Sequence, residues 1–250
     1  MSVLDKILTH KREEIKTLTV PDIVRSKPVL DFKASLTEKP FICEVKKASP
    51  TLGDINTGAD PVEVAVSYER FGVGAVSVLT DAEFFKGSFL FLRDVAAKIN
   101  IPVLCKDFII SEKQIDAAYL YGADAVLLMA TALTSEEYAR LHSYALSKGL
   151  AVLTEIHEAD EYEIVKAENP EIVGVNARNL KTLKIDKEKA AVIIENLPAK
   201  HFKVAESGMG CADDVRLMKA AGASAFLVGS SLMSADDPEA VFEDMNRGLE

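Results

Sequence analysis

The chain has 250 residues, of which 48% are hydrophobic and 27% are charged, and its formal net charge is -10 at pH 7. A composition of this kind can bury a sizeable core beneath a charged surface, which excludes a disordered or fibrous protein. The negative charge disfavours nucleic acid and anionic membranes as partners, because it would repel both. An anionic small-molecule substrate would therefore have to be held by a local site.

The amino terminus, MSVLDKILTHKREEIKTL, is charged throughout and contains no long apolar run. It predicts neither a signal peptide nor a membrane-spanning helix, so we expect the cytoplasm. The three cysteines show no CxxC spacing and the four histidines form no HExxH pattern. These residues therefore indicate no metal site.

Residues 1–40 differ in pattern from the rest of the chain. Their first part has the apolar spacing of a helix, and three prolines follow it at Pro21, Pro28 and Pro40. We predict a helical extension over residues 1–40, followed by a catalytic domain over residues 41–250.

From Phe41 onward, short apolar runs alternate with longer helical patterns, as in successive βα units with a parallel sheet. The eight runs are FICEVKKA, GAVSVLT, PVLCKDF, AVLLMAT, AVLTEIH, IVGVNAR, FKVAES and AFLVGSS. Their spacing predicts the α/β fold class and a single (β/α)8 TIM barrel with an N-terminal helical extension.

An open doubly wound sheet is the alternative architecture. It would normally carry nucleotide-binding glycines directly after its first strand. The nearest candidate, GVGAVS, lacks the third glycine and lies at the start of a strand. The barrel is therefore favoured.

Charged residues fall where the strands end, and strand parity predicts which of them face the barrel interior. The inward residues near the carboxyl ends are Glu44, Lys46, Lys106, Glu155, Asn176, Arg178 and Glu206. Strands one, three, five and seven share interior layers, so two lysines should meet three glutamates at one level. A structural ion-pair plug is the alternative, but burying so many charges is costly, which favours an active site.

Small residues follow the seventh and eighth strands, at Ser207-Gly208 and Gly229-Ser230-Ser231. Barrels often bind phosphate there through backbone N–H groups, although each turn could simply require glycine. Together with Ser49 after the first strand, these turns favour a phosphate pocket. The stretch from Pro50 to Pro61 has no helical or strand period and predicts a loop at the same face.

The chain resembles indole-3-glycerol-phosphate synthase over essentially its full length. The segments that carry the resemblance are EVKKASP, SVLTDAEFFKGS, PVLCKDFI, GADAVLL, TEIHE, GVNARNL, AESGM and VGSSLM. The resemblance implies closure of the indole ring in tryptophan biosynthesis. The substrate would be 1-(2-carboxyphenylamino)-1-deoxyribulose 5-phosphate, which loses carbon dioxide and water to give indole-3-glycerol phosphate.

The resemblance also implies a role for individual residues. Lys106 would be the general acid of ring closure and Glu155 the base. Lys46, held by Glu44, would take part in dehydration or in substrate positioning, and the division of acid steps between the two lysines stays open. No metal or other cofactor would be needed, because acid, base and preorganised electrostatics can carry every step.

The other residues that the resemblance implicates would bind the substrate. Asn176 would hold its hydroxyls and Arg178 its anthranilate carboxylate, while Glu206 and Ser207 would complete the polar floor. The phosphate would be bound by Ser49, Gly208, Gly229 and Ser230. The aromatic ring would lie in an apolar slot formed by Phe85, Phe108, Leu127 and Leu180.

The sequence departs from the family pattern at two places. The first loop reads SPTLG where many members have SPSKG, so Thr51 and Leu52 replace a hydroxyl neighbour and a positive charge. Ala177 stands where many relatives carry Asn or Ser. Two other functions remain as alternatives: a different sugar-phosphate barrel lyase or isomerase, and a non-catalytic barrel scaffold. The expected partner is a small-molecule substrate, and the resemblance also suggests transient contact with other tryptophan-pathway enzymes.

Overall fold

Eight parallel strands close into a barrel in the computed structural model, which describes residues 2–179 and 182–250. The strands are β1 (Phe41–Val45), β2 (Ala75–Leu79), β3 (Val103–Lys106), β4 (Ala125–Met129), β5 (Ala151–Ile156), β6 (Ile172–Asn176), β7 (Phe202–Glu206) and β8 (Ala225–Val228). Each strand pairs with its sequence neighbours, and β8 closes the barrel against β1. The predicted (β/α)8 barrel is confirmed.

Helices precede and follow the strands. Their bounds are α1 (Val3–Thr17), α2 (Phe32–Glu38), α3 (Pro61–Phe71), α4 (Ala82–Phe85), α5 (Phe89–Lys98), α6 (Glu112–Leu120), α7 (Ser135–Ser147), α8 (Tyr162–Val165), α9 (Lys187–Asn196), α10 (Ala212–Ala220), α11 (Ser230–Met233) and α12 (Pro238–Arg247). Three 3-10 turns lie at Ala130–Ala132, Ala159–Glu161 and Lys166–Glu168. Within the described ranges no helix is long and apolar enough to cross a membrane.

Side-chain caps determine where many of these helices begin. Asp60 accepts hydrogen bonds from the backbone of Val62 and Glu63 at the start of α3. Thr134 and Glu137 form a reciprocal capping box at the start of α7. Such caps satisfy the N–H groups that the first helical turn leaves unpaired. They define the residue at which each of these helices begins.

Apolar side chains fill the lower part of the barrel interior, below the strands' carboxyl ends. They form a buried cluster of Ile42, Ala75, Leu104, Ala125, Leu127, Leu153, Ile172, Val204, Ala225 and Leu227. Phe32 and Leu36 of α2 belong to the same cluster and close the amino-terminal end of the barrel. Because this end is filled by apolar residues, a polar cavity can open only at the opposite end.

The stretch from Pro50 to Pro61 was expected to be a loop without regular structure, and at its start that expectation is wrong. Ala48–Ser49 and Gly53–Asp54 form a short antiparallel pair. Gly53 adopts a φ of 64°, and the Ser49 hydroxyl accepts a hydrogen bond from the backbone N–H of Leu52. A turn this short escapes a periodicity argument, because two paired residues on each side carry no measurable period.

Helix α1 lies across the carboxyl-terminal mouth of the barrel. Its residues Leu4, Ile7 and Leu8 pack in one cluster with Phe108 and Met129. A buried ion cluster, which we call the Lys11 cluster, fixes the same helix. It joins the fully buried Lys11 ammonium to carboxylates of Glu14, Asp81 and Asp107, each at 2.8 Å.

Each aspartate of the Lys11 cluster also accepts hydrogen bonds from other groups. Asp81 caps α4 by accepting a hydrogen bond from the backbone N–H of Phe84. Asp107 accepts hydrogen bonds from the hydroxyl of Thr80 and from the backbone N–H of Phe108. Burial opposes the charge on Lys11, but the two aspartates outweigh it and raise the pKa of the ammonium. The Lys11 cluster therefore ties the N-terminal extension to the ends of β2 and β3.

We expect Lys11→Met to lower the free energy of unfolding by about 3 kcal/mol, because removing one partner leaves two buried carboxylates uncompensated. Lys16→Met is the matched control on the same helix. Lys16 pairs with Glu13 at 2.7 Å while both side chains are about two-thirds exposed, and such pairs contribute less than about 1 kcal/mol. Urea unfolding of both variants measures the difference, and equal effects would contradict a stabilising role for the Lys11 cluster.

Candidate active site

A cavity of about 380 Å³ opens at the carboxyl ends of the strands. Its polar lining comes from the floor and from the loops after β7 and β8, and its apolar lining comes from α1, α4 and the ends of β2, β3 and β4. This is the end of a barrel at which active sites of the fold are found. The volume is within the range of sites for small molecules.

The cavity floor brings together the five charged residues that strand parity predicted. Lys106 on β3 donates hydrogen bonds to Glu155 on β5 at 3.0 Å and to Glu206 on β7 at 2.7 Å. Lys46 donates to Glu44 on β1 at 2.7 Å. All five side chains are buried or nearly so, the two ammonium groups being the most accessible. The site is thus a layer of alternating charge that faces the cavity.

Burial and mutual contact shift the pKa values of this layer. Burial disfavours charge on Lys106, yet Glu155, Glu206 and Glu44 outweigh it and raise the pKa of the ammonium. Burial also disfavours charge on Glu155, but Lys106 and His157 hold the pKa of that carboxyl well below its usual range. Burial and the neighbouring charge of Glu155 raise the pKa of Glu206. Two glutamates that share one lysine therefore differ in their readiness to bind a proton.

Two glycines leave the space that these side chains occupy. A Cβ atom at Gly174 on β6 would lie 2.0 Å from Glu206 Oε1, and one at Gly229 would lie 2.6 Å from Glu44 Oε1. Real Cβ atoms do not approach oxygen so closely, so neither position accepts a side chain while the carboxylates keep their places. Sequence reasoning missed this function of Gly174.

The end of β6 supplies an amide and a guanidinium to the cavity wall. Asn176 Oδ1 accepts a hydrogen bond from the backbone N–H of Arg178. The Arg178 guanidinium donates to the carbonyl oxygen of Leu183 at 3.0 Å, and burial lowers the pKa of the group. Both residues line the cavity as predicted, and the remaining donors of Arg178 are available for an anionic group.

The loops that follow β7 and β8 lie side by side along one edge of the cavity. Ser207, Gly208, Gly229 and Ser230 all line it, and Ser49 lines it from the β1 side. Ser207 and Gly208 both adopt positive φ values, 66° and 80°. Both residues line the cavity at this turn. The structure therefore brings together the residues predicted to bind phosphate.

An apolar wall stands opposite these loops. Phe85 and Phe108 lie with their ring centroids 6.0 Å apart, and Leu127 lines the cavity beside them. Leu180, the fourth residue predicted for the aromatic slot, lies outside the described residues. A planar apolar group can be enclosed by this wall without losing hydrogen bonds.

Sequence reasoning missed the contribution of α1 to this wall. Val3, Leu4 and Ile7 line the cavity, although residues 1–40 were treated only as an extension ahead of the barrel. The signal was present in the spacing of Leu4, Ile7, Leu8 and Lys11, which places all four on one helical face. That face is buried against the barrel mouth.

The departures from the family pattern lie at the edges of the site. Thr51 lines the cavity, and its hydroxyl lies 3.2 Å from that of Ser49. The Leu52 side chain is more than half exposed, whereas Ala177 is buried. None of the three belongs to the charged floor. In the two described ranges, no group of three or more histidines, cysteines or acidic residues is placed to hold a metal ion.

Solved structures of low sequence identity share the fold. A thiamine phosphate pyrophosphorylase from Pyrococcus furiosus superposes with a TM-score of 0.61 at 15% identity, covering 86% of this chain and 97% of its own. A 3-hexulose-6-phosphate synthase from Salmonella typhimurium gives 0.65 at 13% identity, covering 84% and 98%. At this identity the likeness shows the barrel fold alone.

Sequence comparison carries the family assignment. The family model described as indole-3-glycerol phosphate synthase matches residues 4–245. Curated proteins of that name from Bacillus cereus and Bacillus anthracis are 43% and 42% identical to this chain, over 97% of the chain and 97% of their own length. The chain therefore belongs to the indole-3-glycerol phosphate synthase family, the carbon-carbon lyases that close the indole ring in tryptophan biosynthesis.

Proposed function

We propose that the charged floor carries out this ring closure, with Lys106 as the general acid and Glu155 as the general base. The observation that carries the proposal is the placement of one ammonium between two buried carboxylates, at the bottom of a cavity with an apolar wall. The substrate, 1-(2-carboxyphenylamino)-1-deoxyribulose 5-phosphate, combines an aromatic ring, a ketone and a phosphate. The cavity offers a matching surface to each of the three.

Ring closure needs a proton donor at the ketone oxygen. An aromatic carbon attacks the carbonyl carbon, and the oxygen takes up a proton as the new bond forms. The ammonium of Lys106 is held in its charged form by the surrounding carboxylates and projects toward the cavity from the end of β3. Those carboxylates also stabilise the positive charge that develops on the anilino nitrogen.

The later steps need a base and a second acid. After carbon dioxide leaves, a hydroxyl must depart as water and a ring proton must be removed before the indole becomes aromatic. Glu155 is suited to remove that proton, because Lys106 and His157 keep it ionised. We assign to Lys46, which is held by Glu44 at 2.7 Å, either assistance to the departure of the hydroxyl or orientation of the substrate.

The rest of the cavity would orient the substrate. We assign the phosphate to Ser49, Gly208, Gly229 and Ser230, which meet along one edge. Arg178 would receive the anthranilate carboxylate and Asn176 the sugar hydroxyls, with Glu206 and Ser207 completing the floor. The anthranilate ring would lie against Phe85, Phe108 and Leu127, and α1 would cover it from above. Such positioning can supply a large part of the rate enhancement.

We also propose that the protein works in the cytoplasm. Its three cysteines are free thiols, and Cys211 among them is exposed. Exposed free thiols are typical of a reducing compartment. We also propose transient contact with other enzymes of the tryptophan pathway.

Lys106→Met removes the proton donor while keeping side-chain length, so we expect kcat to fall by about two orders of magnitude and KM to change far less. Lys203→Met is the control, because Lys203 is also a buried strand lysine but donates to the carbonyl oxygen of Ile194 and does not line the cavity. Steady-state assay of indole-3-glycerol phosphate formation measures both. A near-normal kcat in Lys106→Met would show that another group is the acid.

Glu155→Gln and Glu206→Gln separate the two glutamates that share Lys106. Glu155→Gln removes the ionised base, and we expect a loss in kcat of at least about 100-fold. Glutamine mimics a protonated glutamate, so Glu206→Gln should lose only about tenfold or less, given the raised pKa of Glu206. Both variants are assayed at the same pH near neutrality. Equal losses would contradict the assignment of the base to Glu155 alone.

Ser230→Asp places a negative charge in the proposed phosphate pocket, and we expect KM to rise by at least about 100-fold through like-charge repulsion. Ser224→Asp makes the same change in net charge just before β8, at the opposite end of the same strand. Its KM should stay within about twofold of the original value, since exposed charges beyond about 10 Å are screened. An unchanged KM in Ser230→Asp would show that the phosphate binds elsewhere.

A further inference from the structure

His157 stands directly behind the proposed base. It follows the end of β5, two residues after Glu155, so both side chains fall on the same side of the strand. His157 Nε2 lies 3.2 Å from Glu155 Oε1, while Lys106 contacts the other oxygen, Oε2. The two atoms at 3.2 Å are close enough for an ion pair, although the ring N–H is not aligned for a hydrogen bond.

A second carboxylate holds the far side of the imidazole. Glu161 Oε2 lies 3.7 Å from His157 Nδ1 and accepts a hydrogen bond from the backbone N–H of the same histidine at 2.7 Å. Thr131 donates to Glu161 Oε1 at 2.7 Å, and its hydroxyl oxygen lies 3.3 Å from His157 Nδ1. Glu161 and Thr131 therefore fix both the position of His157 and the orientation of its ring.

Lys106 by itself does not distinguish its two glutamates. It contacts Glu155 and Glu206 at similar distances, and both carboxylates are almost completely buried. Two carboxylates around one ammonium leave an excess negative charge in a medium of low dielectric constant. The state in which one carboxylate is protonated therefore has a lower free energy than the state in which both are ionised. His157 contacts Glu155, and thus makes the two glutamates inequivalent.

We propose that His157 is a positioning residue for the reaction: its imidazolium, held by Glu161 and Thr131, directs the negative charge onto Glu155 and leaves the shared proton on Glu206. The inference rests on the proposed role of Glu155 as the base. His157 does not touch the substrate cavity, and it acts only through Glu155. It is the cation that makes one of two similar carboxylates the base.

The charge of the imidazole follows from the groups around it. Burial opposes protonation, but Glu155 and Glu161 outweigh it and raise the pKa of His157 to about 9. A second, small cavity that His157 lines has four charged residues in its wall, Glu158, Lys184, Asp186 and Lys189, two acidic and two basic, so their charges balance. His157 therefore stays charged at neutral pH, and an opposite charge this close lowers the pKa of a carboxyl by about one to three units.

His157→Gln tests this role through the pH profile of kcat. A base must be ionised, so activity is lost as the pH falls through the pKa of Glu155 in the complex. Removing the imidazolium raises that pKa, and we expect the acidic limb of the profile to move upward by about one unit or more. On that limb a shift of one unit lowers kcat at a fixed pH by about tenfold, and we expect KM to change less than twofold.

His142→Gln is the matched control. His142 is buried to the same extent as His157, at 6% exposure, but stacks on Tyr138 in α7 and does not line the cavity. Its pH profile should coincide with that of the unmodified protein. The proposal is overturned if the acidic limb is unchanged in His157→Gln, or if His142→Gln moves it equally.

Histidine NMR gives a second measurement that does not depend on the folding of the His157 variant. The chain has four histidines, and single substitution of the other three assigns their imidazole signals and leaves that of His157 by elimination. We expect His157 to titrate near pH 9 and to titrate lower in Glu161→Gln. A midpoint near the ordinary value of about 6.5 would overturn the proposal.

The outcomes for His157 and for Glu155 are distinguishable. If Glu155→Gln keeps most of its kcat, the assignment of the base itself fails. If Glu155→Gln is severely impaired while His157→Gln keeps the original acidic limb, only the role of His157 is overturned. If both behave as expected, the base and its positioning residue are established together.

Discussion

Buried charge at the carboxyl-terminal mouth of the barrel is the constraint on which the rest of the structure depends. Three carboxylates and two ammonium groups share the cavity floor, and each would be costly there without its partners. The surrounding structure offsets this unfavourable free energy of burial. Strand parity brings the groups to one level, and the plug of α2 and the apolar interior layers confine the charges to one end. The folded protein alone fixes the resulting electrostatic field, as the catalysis proposed for these residues requires.

Periodic features of the chain could be predicted from sequence. The alternation of strands and helices predicted the barrel, and strand parity predicted that Lys106 would meet Glu155 and Glu206, because both depend on regular geometry. Features that depend on contacts between residues far apart in the sequence could not be predicted in this way. The docking of α1 depends on Lys11 finding Asp81 and Asp107, and lysine is a residue seldom found fully buried. His157 likewise looked like one scattered histidine, although its spacing from Glu155 placed both on one side of β5.

Two glycines, Gly174 and Gly229, shape the site by leaving room for side chains from other strands. The floor holds Glu206 in the space left by Gly174, and it holds Glu44 in the space left by Gly229. A glycine in a strand interior costs stability because it loses more conformational freedom than other residues. Here that loss is offset by room for a carboxylate in the charged layer. A composition-based reading assigns these glycines to turns and packing, since the atoms they accommodate come from other strands.

The contacts of α1 also constrain the order in which the parts of the barrel can come together. During synthesis Lys11 emerges before either aspartate that will enclose it, so its ammonium remains hydrated until β2 and β3 exist. Helix α1, which lines the cavity, thus leaves the ribosome before the strands on which it docks. A partly made barrel would expose the apolar wall of the cavity to water and to other chains. On a nascent chain this face therefore stays uncovered until the first three strands have formed and α1 can dock.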